Sequence, residues 1–289
     1  MEKGFDLRRF GLMVRWDLTT NWKSSVRMVL CVTLGLLFLY ELDMYERFSG
    51  SWNEISPAQF DSWLGGMVLP TTIAFILFMM VGASLIFDCM KTRQQRTAFL
   101  MLPASSAEKF LARLLYATVG FFVMFFAASV IADVLRLVIS LIFGPRMFGS
   151  IVLTGMGDFY DTITGLLIGW NERKADFWLY TRDRTEGLWN MAMFASVALF
   201  FHSLYIFGGT IFHRNTVVLT TFSIIAAGLM FGWLDINPGI VSLGFGDKLG
   251  IAHNRIDPFV FGVLAALCYW GSYRIYLRMQ VINNKWTNL

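Results

Sequence analysis

Apolar residues run along this chain in long unbroken blocks, and charged residues gather in the gaps between them. The clearest block, Trp63 to Phe87, has no charged side chain. At 1.5 Å rise per residue it gives roughly 37 Å of helix, enough to cross a hydrocarbon core of about 30 Å with some tilt. Blocks of the same kind predict six transmembrane helices, near residues 24–45, 63–87, 112–133, 188–212, 216–234 and 258–276. The apolar heart of the first, Met28 to Tyr40, gives only about 20 Å, so Arg27 snorkels at one end and Glu41 and Asp43 meet the opposite headgroups. Pro70 is a candidate kink in the second span. The third is flanked by Arg113 and Asp133. Phe212 to Asn215 alone separates the fourth and fifth, which therefore form a tight antiparallel hairpin. The sixth opens on Pro258 after Asp257 and ends in a belt of Tyr269, Trp270 and Tyr273.

Three stretches between the blocks carry weaker periodicity. Phe5 to Leu18, within a cytoplasmic segment 1–23, reads as a surface helix with two apolar stripes. One is Leu7, Phe10, Val14 and Leu18; the other is Phe5, Leu12 and Trp16. Residues 134–187 form an external segment with two short apolar pieces: Leu137 to Phe143, stopped by Gly144-Pro145, and Ile163 to Trp170, which is too short to span and reads as interfacial or re-entrant. Gly165 and Gly169 have the G-x-x-x-G spacing of helix pairing, though not inside a full apolar 20-mer. The Gly-rich stretch Ile236 to Ala252 reads as a second external dip.

Composition agrees with the pattern. Of 289 residues, 56% are hydrophobic and 15% charged, against about 25% charged in soluble domains. The mean hydropathy is +0.57. Intrinsic disorder is excluded. A β-barrel would alternate apolar and polar residues, which this chain does not do. The class is an all-α, polytopic helical membrane protein, a single transmembrane domain over residues 1–289.

Charge sets the orientation. The N-terminal stretch through Arg27, the stretch from Lys91 to Arg113, the hairpin and the end of the chain from Arg274 together hold 15 of the 24 basic residues, while the opposite short loops hold Arg47, Lys248 and Arg255. By the positive-inside rule both termini are cytoplasmic. The net charge of +4 is then membrane-surface charge, and no nucleic-acid partner is expected. The acids of the first external loop (Glu41, Asp43, Glu46, Glu54 and Asp61) read as a solvated face or a cation site. Cys31, Cys89 and Cys268 have no metal-ligand spacing and read as small apolar side chains.

Motifs of covalent chemistry are missing. There is no phosphate loop, no H-E-x-x-H and no G-x-S-x-G, so the chain is expected to be no enzyme, with no catalytic residue, no metal and no cofactor of its own. His202, at mid-span, is either a neutral imidazole bonded to a neighbouring helix or an intramembrane polar site. Asp133 and Arg136, spaced i,i+3, are either an interfacial ion pair or part of a translocation path.

The 88–111 loop carries more information. Ser105 and Glu108 match the S-x-x-E capping box, so a helix starts near Ser106 and runs into the third span. Before it lies a basic-then-apolar piece, Arg96 to Leu102, stopped by Pro103. A short helix across the cytoplasmic face, a turn and a capped helix make a compact docking element, or else a linker. An exposed Phe99-Leu100-Met101-Leu102 run is costly unless a partner or the headgroups cover it.

The stretch Arg96-Thr97-Ala98-Phe99-Leu100-Met101-Leu102-Pro103-Ala104-Ser105, followed by Glu108-Lys109-Phe110-Leu111, resembles the coupling segment of ABC-2-type permeases. Those are the six-helix membrane subunits of bacterial ATP-binding cassette exporters. The resemblance implies a permease in the bacterial plasma (inner) membrane. It would work as a homodimer, or as a heterodimer with a related permease, docked on a separate ATP-binding cassette subunit through Arg93, Arg96, Phe99, Leu100, Leu102, Pro103, Ser105, Glu108 and Lys109. The coupling stretch lacks the family's usual acid, and the segment between spans three and four is longer than usual, which marks a divergent branch. The other reading is a non-transport membrane scaffold or assembly factor.

Overall fold

The computed structural model describes residues 5–48, 55–90, 92–143, 148–168, 184–212, 215–233 and 257–278. The Gly-rich stretch at 236–252, residues 169–183 with Gly169, His213 and Arg214 of the predicted hairpin, and Lys285 lie outside the described residues. Among those described, the chain is all-helical. Its helices are α1 (Leu7–Phe48), α2 (Pro57–Ser84), α3 (Arg93–Leu100), α4 (Ser106–Leu115), α5 (Phe121–Phe143), α6 (Ile151–Ile168), α7 (Arg184–Ile211), α8 (Thr216–Trp233) and α9 (Asp257–Arg278). A 3₁₀ turn, Asp88–Met90, precedes α3, and a π turn, Tyr116–Gly120, joins α4 to α5.

Among the described residues, five helices are long and apolar enough to cross a membrane: Leu7–Phe48, Pro57–Met90, Ser106–Ile142, Met191–Ile211 and Pro258–Arg278. The predicted fifth span falls on α8, whose apolar part, Thr216–Ala227, is shorter. Large apolar side chains stand exposed along these helices, among them Leu34, Phe38, Phe122 and Val263. Helices that face lipid rather than water present such a surface.

Two expectations are corrected. The surface helix at 5–18 and the first span are one uninterrupted 42-residue helix. That is about 63 Å long, twice the hydrocarbon thickness. The polar stretch between them stays helical, with its side chains bonded back to the preceding turn. Thr19 donates to the Arg15 carbonyl at 3.0 Å, Asn21 to the Asp17 carbonyl at 3.0 Å and Ser25 to the Asn21 carbonyl at 3.1 Å. Likewise Leu137 to Phe143, placed in the external segment, is not set apart from the third span. It continues the third span, since Asp133 and Arg136 are paired and buried within the helical run. Ile163 to Ile168 is the end of the 18-residue α6.

The chain divides into two compact units. One comprises Met1–Val14, Met80–Ala117 and Leu166–Leu289; the other comprises Arg15–Met79 and Thr118–Gly165. In the first, α7 packs along α9 and against α8, and α4 touches α9. An aromatic cluster closes this packing: Phe87 stacks on Tyr276 at 5.3 Å and Phe110 meets Tyr273 edge-on at 5.3 Å. A side chain at Gly209 would strike the Ser84 backbone, so only glycine permits this approach of α7 to the end of α2. In the second unit the core gathers Leu36, Tyr40, Met44, Trp63, Met67, Phe125 and Ile151. Phe75 and Phe78 each pack within 6 Å of Phe125.

Candidate functional site: the α3 element and the buried polar groups

The α3 element is built from two capping boxes. At its start the Thr92 hydroxyl accepts from the Gln95 amide and the Gln95 side chain accepts from the Thr92 amide, both at 3.2 Å. At the start of α4 Ser105 and Glu108 close the predicted box: the Glu108 amide donates to Ser105 Oγ at 3.3 Å, and Glu108 Oε2 accepts from the Ser105 amide at 2.8 Å. Two satisfied N-termini, with Pro103 in the turn between them, hold α3 in a fixed relation to α4.

Cations of α4 fix the other ends. Lys109 Nζ donates to the Leu100 carbonyl at 2.7 Å, at the C-terminus of α3. Arg113 Nε donates to the Ile86 carbonyl at 2.6 Å, just past the C-terminus of α2, and its guanidinium lies over the Tyr116 ring at 5.2 Å. One turn of α4 thus supplies positive charge to the negative ends of two helices. Glu108 is fully buried and also accepts from the Asp6 amide at 2.8 Å and from Arg9 Nη2 at 3.0 Å. The first turns of α1 are latched to α4 by this carboxylate.

The outer face of α3 differs from the expected one. Phe99 is completely buried and Arg96 is 7% exposed, because both face inward where α3 packs on the 3₁₀ turn with the buried Met90. The burial pulls the Arg96 guanidinium below the usual arginine range. Leu100 and Leu102 are half-buried. The apolar run predicted to be exposed therefore reduces to Met101, at 79% exposure. Of the predicted coupling residues, Arg93 and Pro103 are exposed, whereas Ser105, Glu108 and Lys109 serve the element's internal architecture. The outward surface is Arg93, Gln94, Gln95, Ala98, Met101 and Pro103. Gln94, Gln95, Ala98 and Met101 are not among the contact residues expected from the sequence. The Thr92-x-x-Gln95 box is the signal that locates the start of α3, and hence its two faces.

The predicted intramembrane polar groups fall in two places. His202 Nδ1 lies 2.9 Å from the Tyr269 hydroxyl, joining α7 to α9. Asp133 and Arg136 are almost wholly buried, with Arg136 Nη2 3.1 Å from Asp133 Oδ1. Asp133 also accepts from the Ser150 hydroxyl and from the amides of Ile151 (3.3 Å) and Val152 (3.4 Å), so it caps the N-terminus of α6. Arg136 donates to the Gly149 carbonyl and lies over the Trp63 ring at 5.5 Å. The Trp63 indole donates to Asp43 at 2.8 Å. The Asp133–Arg136 ion pair is thus a buried bracket between α5 and α6. Among the described residues, no three His, Cys, Asp or Glu side chains are placed to hold a metal ion. No family model, no curated protein and no solved structure matches this chain.

Proposed function

We propose that this protein is the permease subunit of an ATP-binding cassette exporter, with α3 as the element that receives force from a separate ATPase. The supporting observation is the way α3 is held. Capping boxes bracket it, Lys109 ties its C-terminus to α4, and α4 continues through the π turn into a membrane-spanning helix. A push on the outer face of α3 then passes into a span rather than bending a loop, which is what alternating access driven from outside the membrane demands. In this reading α8 is the fifth of six spans, both termini are cytoplasmic, and two permease copies, or one copy and a related subunit, line the path in a bacterial inner membrane.

Met101 and Arg93 are the docking contacts to test, because both are exposed and neither holds the fold. Met101→Asp and Arg93→Glu are each expected to cut co-purification of a P-loop ATPase encoded beside this gene by about tenfold. Unfolding of the permease should change by no more than about 0.5 kcal/mol. Undiminished co-purification by both variants, or a genome with no such neighbour, would refute the reading. Orientation has its own check at Phe148, which is 70% exposed. A Phe148→Cys variant should react with an impermeant thiol reagent added outside; reaction only after the inner face is opened would invert or break the six-span arrangement.

A further inference from the structure

The cations in the first half of α1 have divided duties. Arg9 is committed inward, to Glu108. Arg15, Lys23 and Arg27 are exposed. Arg27 Nε donates back to the Lys23 carbonyl at 3.3 Å, which draws its side chain toward the helix N-terminus and away from the apolar turns that follow. At 100° per residue, Arg15, Thr19, Trp22, Lys23, Val26 and Leu30 share one face, and all six are exposed. The acid of this stretch, Asp17, is turned inward and 1% exposed. The face therefore carries positive charge that no neighbour in the same turns offsets. Beyond Leu30 it runs on into Leu34 and Phe38, both more than 60% exposed.

A ligand that satisfies this face needs an anion at one end and an apolar tail at the other. A nucleic acid or a soluble acidic peptide would meet the cations and leave Val26, Leu30 and Leu34 uncovered. We infer that the Trp22–Leu34 face of α1 holds an anionic phospholipid, its phosphate between Lys23 and Arg27 and its acyl chain along Val26, Leu30 and Leu34. The axial spacing fits. Lys23 lies about 6 Å from Arg27 along the helix, and the headgroup layer of one leaflet is about 5–7 Å deep. Trp22 sits at the same level, where amphipathic rings collect. Arg15 lies about 18 Å from Arg27, beyond the reach of a field that decays within about 8–10 Å.

Native mass spectrometry of the full chain in detergent, titrated with phosphatidylglycerol and separately with phosphatidylcholine, tests this directly. Lys23→Gln and Arg27→Gln should each weaken phosphatidylglycerol binding about fivefold, and together about 25-fold. Arg15→Gln should cost less than about twofold, and so should Arg93→Gln on α3. Phosphatidylcholine adducts should not change, nor should unfolding in phosphatidylcholine. The inference is overturned if the double variant keeps its phosphatidylglycerol affinity within about twofold, if phosphatidylcholine binding falls in parallel, or if Arg93→Gln costs as much. A Lys23→Arg/Arg27→Lys exchange keeps the charge and should keep the lipid, which separates lost charge from lost fold. No ATPase enters the assay, so its outcome is independent of the transport reading.

Discussion

Glu108 and Asp133 are both carboxylates with almost no exposure, both meet an arginine, and both stabilise a helix N-terminus. They differ in whose helix they serve. Glu108 is the third residue of the helix it caps, and the cation that meets it, Arg9, comes from 99 positions away. Asp133 lies in the middle of one helix and caps another that begins 18 residues later, while its cation is three positions along its own helix. Burying an anion at a helix N-terminus is favourable in both cases because the macrodipole and the unpaired amides receive it. The two part ways in the consequences of loss. Arg9 remains one-quarter exposed and would rehydrate without Glu108. Arg136 is fully buried, and without Asp133 it would be a charge with nowhere to go.

The largest effect is expected at the Asp133 bracket. Arg136→Met leaves Asp133 uncompensated and should cost about 3–5 kcal/mol of stability, read by denaturant unfolding in detergent. Adding Asp133→Asn, which keeps an acceptor at the α6 cap, should recover at least about 2 kcal/mol of that loss. Single-variant costs that simply add would show that the two charges do not sense each other.

The Glu108 latch should respond more gently. Glu108→Gln keeps the shape and loses the charge at the α4 N-terminus and toward Arg9, a loss of about 2 kcal/mol. Arg9→Gln, at a partly solvated partner, should cost about 1 kcal/mol or less. An Arg9 variant as damaging as the Glu108 variant would mean that the latch depends on the ion pair rather than on the capped amides, and the contrast between the two carboxylates would dissolve.

Local chemistry is readable where partners lie within a turn. The Ser105-x-x-Glu108 box predicts the start of α4. Thr92-x-x-Gln95 and Ser56-Pro57-x-Gln59 carry the same signal for α3 and α2, and Ser56 and Gln59 do close such a box. The apolar pattern alone misses the first turns of α2, because this box precedes the charge-free block by several residues. The continuity of α1 is not readable in the same way. Thr19, Asn21 and Ser25 are as suited to ending a helix as to bonding back to it, and only the surrounding structure selects between these states.

The sequence by itself determined the all-helical class and a membrane-crossing character, because both follow from the length and apolarity of single segments, and a segment of that kind has no other stable place. It also determined the capped turn before α4, since both partners of each bond lie within four residues. Tertiary structure alone decided that Phe99 and Arg96 turn inward, that Met101 is the apolar residue left outside, and that Asp133 and Arg136 form a buried bracket between α5 and α6. These choices depend on which surface each helix meets. That surface is assembled from other segments, from the 3₁₀ turn beside α3 to Trp63 under Arg136, and no local pattern of apolar and polar positions encodes it.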